Sequence, residues 1–147
     1  MANNFNISNV AAKALADSFD DQINIGSTAS TISIRDSTGA GQPADPDTAI
    51  STQVQLALLT ASDPMFTAAT DANPGGLLTA SAITSDTSAD ATGTATWFRI
   101  SATGTGADDV ADGTCGTSAS DLNFNTTAIT AGSTVSITSF TVTMPEG

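Results

Sequence analysis

Thr94-Ala95-Thr96-Trp97-Phe98-Arg99-Ile100-Ser101-Ala102 alternates in side-chain character with a period of two. Thr96, Phe98 and Ile100 fall on one face, and Ala95, Trp97 and Arg99 on the other. That period belongs to a pleated strand, whose successive side chains point to opposite faces. Working outward, residues 29–35 repeat the pattern, with Ile32 and Ile34 directed inward. Residues 52–61 put Val54, Leu56 and Leu58 on one face, and Ala57 and Leu59 make the other apolar too, which predicts a central strand. Residues 77–84 and the pair Leu122 and Phe124 predict shorter strands. Residues 133–144 read as a long final strand. Its apolar parity changes near Ser139, from Val135 and Ile137 to Phe140, Val142 and Met144, so a bulge there, or a passage between sheets, is expected.

One segment breaks the period of two. Residues 8–23 follow a possible cap at Ser8 or Asn9, and Ala11, Leu15, Phe19 and Ile23 recur every four residues, which predicts a short helix ending before Gly26. Asp17, Asp20 and Asp21 oppose the dipole at its end, which should fray unless it is packed. Between strands, residues 36–49 are too rich in Pro, Gly and Asp for either regular element and predict a loop. Residues 104–106 begin a flexible turn, and residues 108–114 look like a hairpin tip. About seven strands and a short helix thus predict an all-β sandwich, as one domain over residues 1–147 with an arm at 1–9, the helix at 8–23 and the sandwich at 29–144.

Composition agrees with thin sheets. Of 147 residues, 25 are Thr and 25 are Ala, so the 39% hydrophobic content contains few large core-formers. Thr suits a pleated, half-exposed surface. A core this lean gains from burial against another chain, which is a first hint of an oligomer. Three basic residues against 15 acidic give a formal charge of −12, a poor match for phosphates or an anionic membrane, so neither nucleic acid nor membrane is an expected partner. No run of 18 apolar residues exists, and the start of the sequence lacks a basic, apolar leader pattern, so synthesis and use in a cytosol are expected.

Catalytic groups are scarce. The sequence has no His and one Cys, Cys115, which removes Ser-His-Asp and Cys-His chemistry, an ordinary zinc cage and an internal disulfide. No cofactor and no enzymatic activity are expected. Asp108, Asp109 and Asp112 form the best of several acidic groups for Ca²⁺, but they lack the spacing and closing Glu of an EF-hand loop, and solvated turn acids are the better reading. Five residues are candidate interface positions. Met65 and Phe66 are large apolar residues inside a loop, where they either plug an end of the sandwich or anchor a partner. Arg35 and Arg99 stand out among so few cations, each either pairing locally with a turn Asp or gripping a partner carboxylate. Trp97, beside Arg99, is either packed on a sheet face or an interface anchor.

Two stretches carry a resemblance. Ala82-Ile-Thr-Ser-Asp-Thr-Ser-Ala-Asp-Ala-Thr-Gly-Thr-Ala-Thr-Trp-Phe-Arg99 and Asp121-Leu-Asn-Phe-Asn-Thr-Thr-Ala-Ile-Thr-Ala-Gly-Ser-Thr-Val-Ser-Ile-Thr-Ser-Phe-Thr-Val-Thr-Met-Pro145 resemble small capsid decoration, or cement, proteins of tailed bacteriophages. The order of a helix, an Ile-Ser-Ile-Arg strand, a Pro-bearing loop and a Leu-rich strand is similar too, and residues 103–118 match loosely. The resemblance implies a jelly-roll-like sandwich, a homo-oligomer (dimer or trimer), the major capsid protein as partner and a place on the exterior of the virion. A tail or head-fibre module and a Ca²⁺-dependent carbohydrate-binding module are the competing expectations.

Overall fold

The structure, a computed structural model, describes residues 5–26, 28–72, 75–106 and 108–146. It is a β-sandwich with one short N-terminal helix, its larger sheet curled into a half-barrel. The helix, α1, spans Asn9–Ile23. Ten strands follow among the described residues: β1 (Thr31–Asp36), β2 (Val54–Thr60), β3 (Thr70–Asp71), β4 (Gly76–Thr79), β5 (Gly93–Thr94), β6 (Trp97–Ser101), β7 (Asp109–Gly116), β8 (Leu122–Asn123), β9 (Ala128–Ile129) and β10 (Thr141–Met144). The five-stranded sheet has the order β2-β1-β6-β7-β8, the three-stranded sheet the order β10-β4-β3, and β5 pairs with β9.

The period of two in β1 and β6 sets the centre of the larger sheet. Ile32 opposes Ile100 and Ile34 opposes Phe98, so all four side chains enter the core. They meet Phe66, Leu78 and Phe140 from the other layer. A run of rings crosses the interior: Phe19 to Phe66 at 6.4 Å, Phe66 to Phe140 at 5.9 Å, and Phe140 edge-on to Phe98 at 5.6 Å. Offset and edge-on pairs like these favour one core arrangement over looser ones.

The helix begins as its sequence predicts, with Ser8 Oγ accepting from the Ala11 amide at 3.3 Å. Phe19, half-buried, and Ile23, buried, stand on the expected stripe, whereas its first half runs through Ala12 and Ala16 in place of Ala11 and Leu15, and Leu15 is 55% exposed. Gly76 explains the difference. A Cβ there would lie 2.7 Å from Ala12 O and from the Lys13 Cα, so helix and β4 approach backbone to backbone and small residues must face the sheet. The helix ends at Asn24, before Gly26. Its acidic end is packed: Asp17 accepts from the Ala69 amide at 2.7 Å, Asp20 from the Phe66 amide at 3.2 Å, and Asn24 Oδ1 from the Met65 amide at 3.0 Å. Acids set against the dipole therefore serve as acceptors for a neighbouring loop whose amides have no ladder.

Other expectations are corrected. β2 lies at the edge of its sheet, and a register shift opposite Ile34 and Arg35 buries Leu56 beside Ala57 while Val54 and Leu58 stay exposed. Residues 109–114, expected as a hairpin tip, lie within β7, and the turn falls earlier, at Gly104 and Gly106, whose φ angles are +92° and +79°. Only Gly76–Thr79 of the segment 77–84 and its approach is strand; Ala80 and Thr84 make single bridges to Phe66 and Thr60. The expected final strand over 133–144 is reduced to Thr141–Met144, which joins β4, and before it Val135 makes a single bridge to Asp86.

Candidate functional site

The outer face of the larger sheet carries Ser33, Arg35, Trp97 and Arg99, and the loop of residues 37–53 closes over it. Gln53 Nε2 ties that loop to itself through Gly41 O at 2.6 Å. Arg99, 1% exposed, ties it to the sheet, donating to Thr48 O at 3.1 Å and Asp45 O at 3.3 Å. The same guanidinium takes Asp112 in a two-pronged grip, Nε to Oδ1 at 2.6 Å and Nη2 to Oδ2 at 2.7 Å, and reaches Asp109 at 2.9 Å. The period of two makes this possible, since Arg99 directly opposes Asp112 across β6 and β7 and a register shift beyond Ile100 swings Asp109 to the same side. Asp112's hydrogen bond, opposed by burial, holds the Arg99 guanidinium above its ordinary pKa.

Trp97 lies fully buried between two cations. The guanidinium carbons of Arg99 and Arg35 stand 5.6 Å and 5.9 Å from its ring centroid. Such contacts gain strength when desolvated. Its Nε1–H is buried with no hydrogen-bond acceptor among the described residues. Arg35 is half-buried and donates to Ser33 Oγ, Gln53 O and Gln55 Oε1 at 3.2–3.3 Å, with no ion pair among the described residues. Burial lowers its pKa, and the neighbouring charge of Arg99 lowers it further.

The five candidate interface residues therefore divide. Arg35, Trp97 and Arg99 come together in one layer, Trp97 and Arg99 buried beneath this chain's own loop and Arg35 half-buried beside them, and Arg99 takes the local-Asp alternative in a buried form. Met65 and Phe66 lie on the opposite side of the sheet, 0% and 1% exposed, as the plug alternative has it. A buried side chain offers no surface to a second chain, so none but half-buried Arg35 is available for contact in this conformation. Burial around Cys115 pushes its thiol up to about 12, which removes nucleophilic thiolate at neutral pH. Asp109 and Asp112 face Arg99, and no group of three metal-ligating side chains is placed to hold an ion among the described residues.

The exposed large apolar residues are elsewhere: Phe5 at 75%, Val10 at 78% and Leu15 at 55% on the N-terminal segment and helix, with Ile25, Val54 and Leu58 less so. Sequence reasoning missed them because it placed Leu15 on the packed stripe. It also missed the 37–53 loop as a cover, since the loop's grip is made by backbone carbonyls, which any residue supplies. A groove of about 300 Å³ opens between β7 and β10, floored by Phe19, Phe98, Ile100 and Phe140 with Asp121 at its side. No helix among the described residues is long and apolar enough to cross a membrane. Comparison with family models, with curated proteins and with solved structures finds no match to this chain.

Proposed function

We propose that this chain is a structural protein of a bacteriophage virion, a homo-oligomer that lies on the outside of the head and bridges major capsid subunits. Two stretches, 82–99 and 121–145, resemble decoration proteins, and the rare cations that could serve chemistry are engaged inside the fold. The observation that carries the binding role is the exposed apolar set Phe5, Val10 and Leu15, left in water by a protein short of large core residues. A decoration protein acts by mass action: it binds the expanded shell in preference to other states and stabilises it in proportion to that difference. Acidic charge keeps it off the packaged genome. No bond is made or broken.

Cryo-electron microscopy of purified virions tests the proposal. Density for this chain over the capsid lattice is the expected result. Its absence from mature heads overturns the proposal, and density on the tail or on head fibres assigns the competing role. Sedimentation adds a second check, since a strictly monomeric chain at high micromolar concentration argues against a homo-oligomer.

A further inference from the structure

The groove between β7 and β10 has one open strand edge among its walls, that of β10, which ends the three-stranded sheet. Ala80 N donates to Phe140 O at 2.9 Å, and the register Thr141↔Thr79, Val142↔Leu78, Thr143↔Leu77 follows. In an antiparallel ladder the bonded residues alternate, so Phe140, Val142 and Met144 bond to β4, and the N–H and C=O groups of Thr141 and Thr143 point the other way, into the groove. Neither amide has a partner among the described residues. On the facing wall, Cys115 N bonds inward to Thr96 O, so Thr114 and Asp112 are the outward residues of β7. Thr114 N confirms the direction by donating to Asp121 Oδ2 at 2.8 Å. That wall is already engaged by Asp121 and β8, so an aromatic floor and the open edge of β10, with no bond between the walls among the described residues, make a seat for one more strand.

We propose that an extended, basic segment of another protein occupies this groove by strand addition to β10, its alternate side chains meeting the Phe98 and Phe140 rings. Main-chain bonds supply the affinity in this mode of recognition, and side-chain pockets the selectivity. Charge identifies the occupant. The chain carries −12, and Asp121 stands at the groove. Its own cations cannot fill it: Lys13 pairs with Asp17, Arg99 is sealed under the 37–53 loop, and Arg35 lies half-buried beside it. A second copy would therefore bring like charge to the groove, whereas a strand bearing Lys or Arg is attracted. This inference stands apart from the capsid role: a virion lacking the chain overturns that role and leaves the groove as it is.

The probe is a synthetic acetylated, amidated octapeptide, Thr-Lys-Val-Lys-Val-Lys-Val-Thr, titrated into the full chain at low salt by calorimetry and by amide NMR. The expected result is shifted, exchange-protected amides at Thr141 and Thr143. Methylating alternate peptide nitrogens keeps charge and composition, and should weaken binding by about tenfold or more, as should replacing Lys with Glu. Thr143→Pro removes one outward N–H at an edge position that tolerates proline, and should do the same with an unchanged melting temperature. Equal binding by the methylated peptide, or perturbation away from β10, overturns the proposal. So does a dimer of the chain that Thr143→Pro abolishes, because the occupant is then a second copy.

Discussion

Arg99 concentrates more structure in one side chain than any other residue of the outer layer. Its guanidinium joins two strands, through Asp112 and Asp109, to a loop, through two carbonyls. Arg99→Ala leaves Asp112, with its side chain 5% exposed, as an unpaired buried carboxylate, and destabilisation of about 3–5 kcal/mol is expected in urea unfolding. Arg99→Lys keeps the charge but loses the fork and should recover part of that loss. Trp97→Ala opens a large cavity between two guanidiniums and should cost about 3–5 kcal/mol. Trp97→Phe should lose clearly less, since it keeps a ring face and removes an N–H that has no acceptor among the described residues. If Trp97→Ala changes stability by less than about 1 kcal/mol, the ring is not core. Gly113 is a different kind of constraint: a Cβ there would sit 2.5 Å from the Phe98 ring. Gly113→Ala should destabilise by about 1–3 kcal/mol through overpacking.

At the scale of elements, the end of α1 and the loop after β2 form a unit. Asp20 and Asn24 fix the amides of Phe66 and Met65, and those two residues close the core. Asp20→Ala should therefore raise hydrogen-exchange rates at Phe66 more than at Ile34 in β1, whose ladder does not depend on Asp20; equal protection in wild type and variant would separate helix from loop. What the sequence showed and hid also sorts by element. The strands around Ile32, Ile34, Phe98 and Ile100 were legible, because a two-residue period is a direct print of a half-buried pleat. The helix start was legible from Ser8. The helix face was not, because it is chosen by Gly76 on another element, sixty-odd residues away. Residues 108–114 read as a turn because Asp and Gly favour turns, yet Arg99 opposite makes two of those acids good strand residues. The β2 shift moved Val54 and Leu58 into water for a similar reason: a bulge is a relation between strands. Within the site, the rarity of Arg pointed at Arg35 and Arg99, while the covering loop left no trace in side-chain type.

For the whole molecule, acid acts on the carboxylates in two opposing ways, relieving their mutual repulsion and removing the hydrogen bonds that some of them accept. Lys13's hydrogen bond lowers the pKa of Asp17, Thr38's that of Asp36, and the Thr114 amide's that of Asp121. A carboxyl whose folded pKa lies below its unfolded value of about 3.9 contributes stability that is complete above that value and is lost as pH falls through the folded one. Asp20 runs the other way, since burial raises its pKa, so its charge opposes folding at neutral pH and protonation relieves it. Self-repulsion of a −12 chain is relieved by acid as well, and also by added salt. The two influences separate by range. Above about pH 5 every depressed carboxyl is ionised in both states and the net charge is steady, so the melting temperature should rise with added salt and change little as pH drops from 8 to 5. Below about pH 4 the three depressed carboxyls dominate, and stability should fall steeply while its salt dependence fades. Asp20→Asn removes a charge whose burial opposes folding but keeps a carbonyl acceptor for Phe66, so it should raise the melting temperature at neutral pH and leave the acid fall in place. Scanning calorimetry of both proteins across that range decides the matter: a melting temperature that keeps climbing below pH 4 would mean that repulsion, and not the bonded carboxylates, governs this fold in acid.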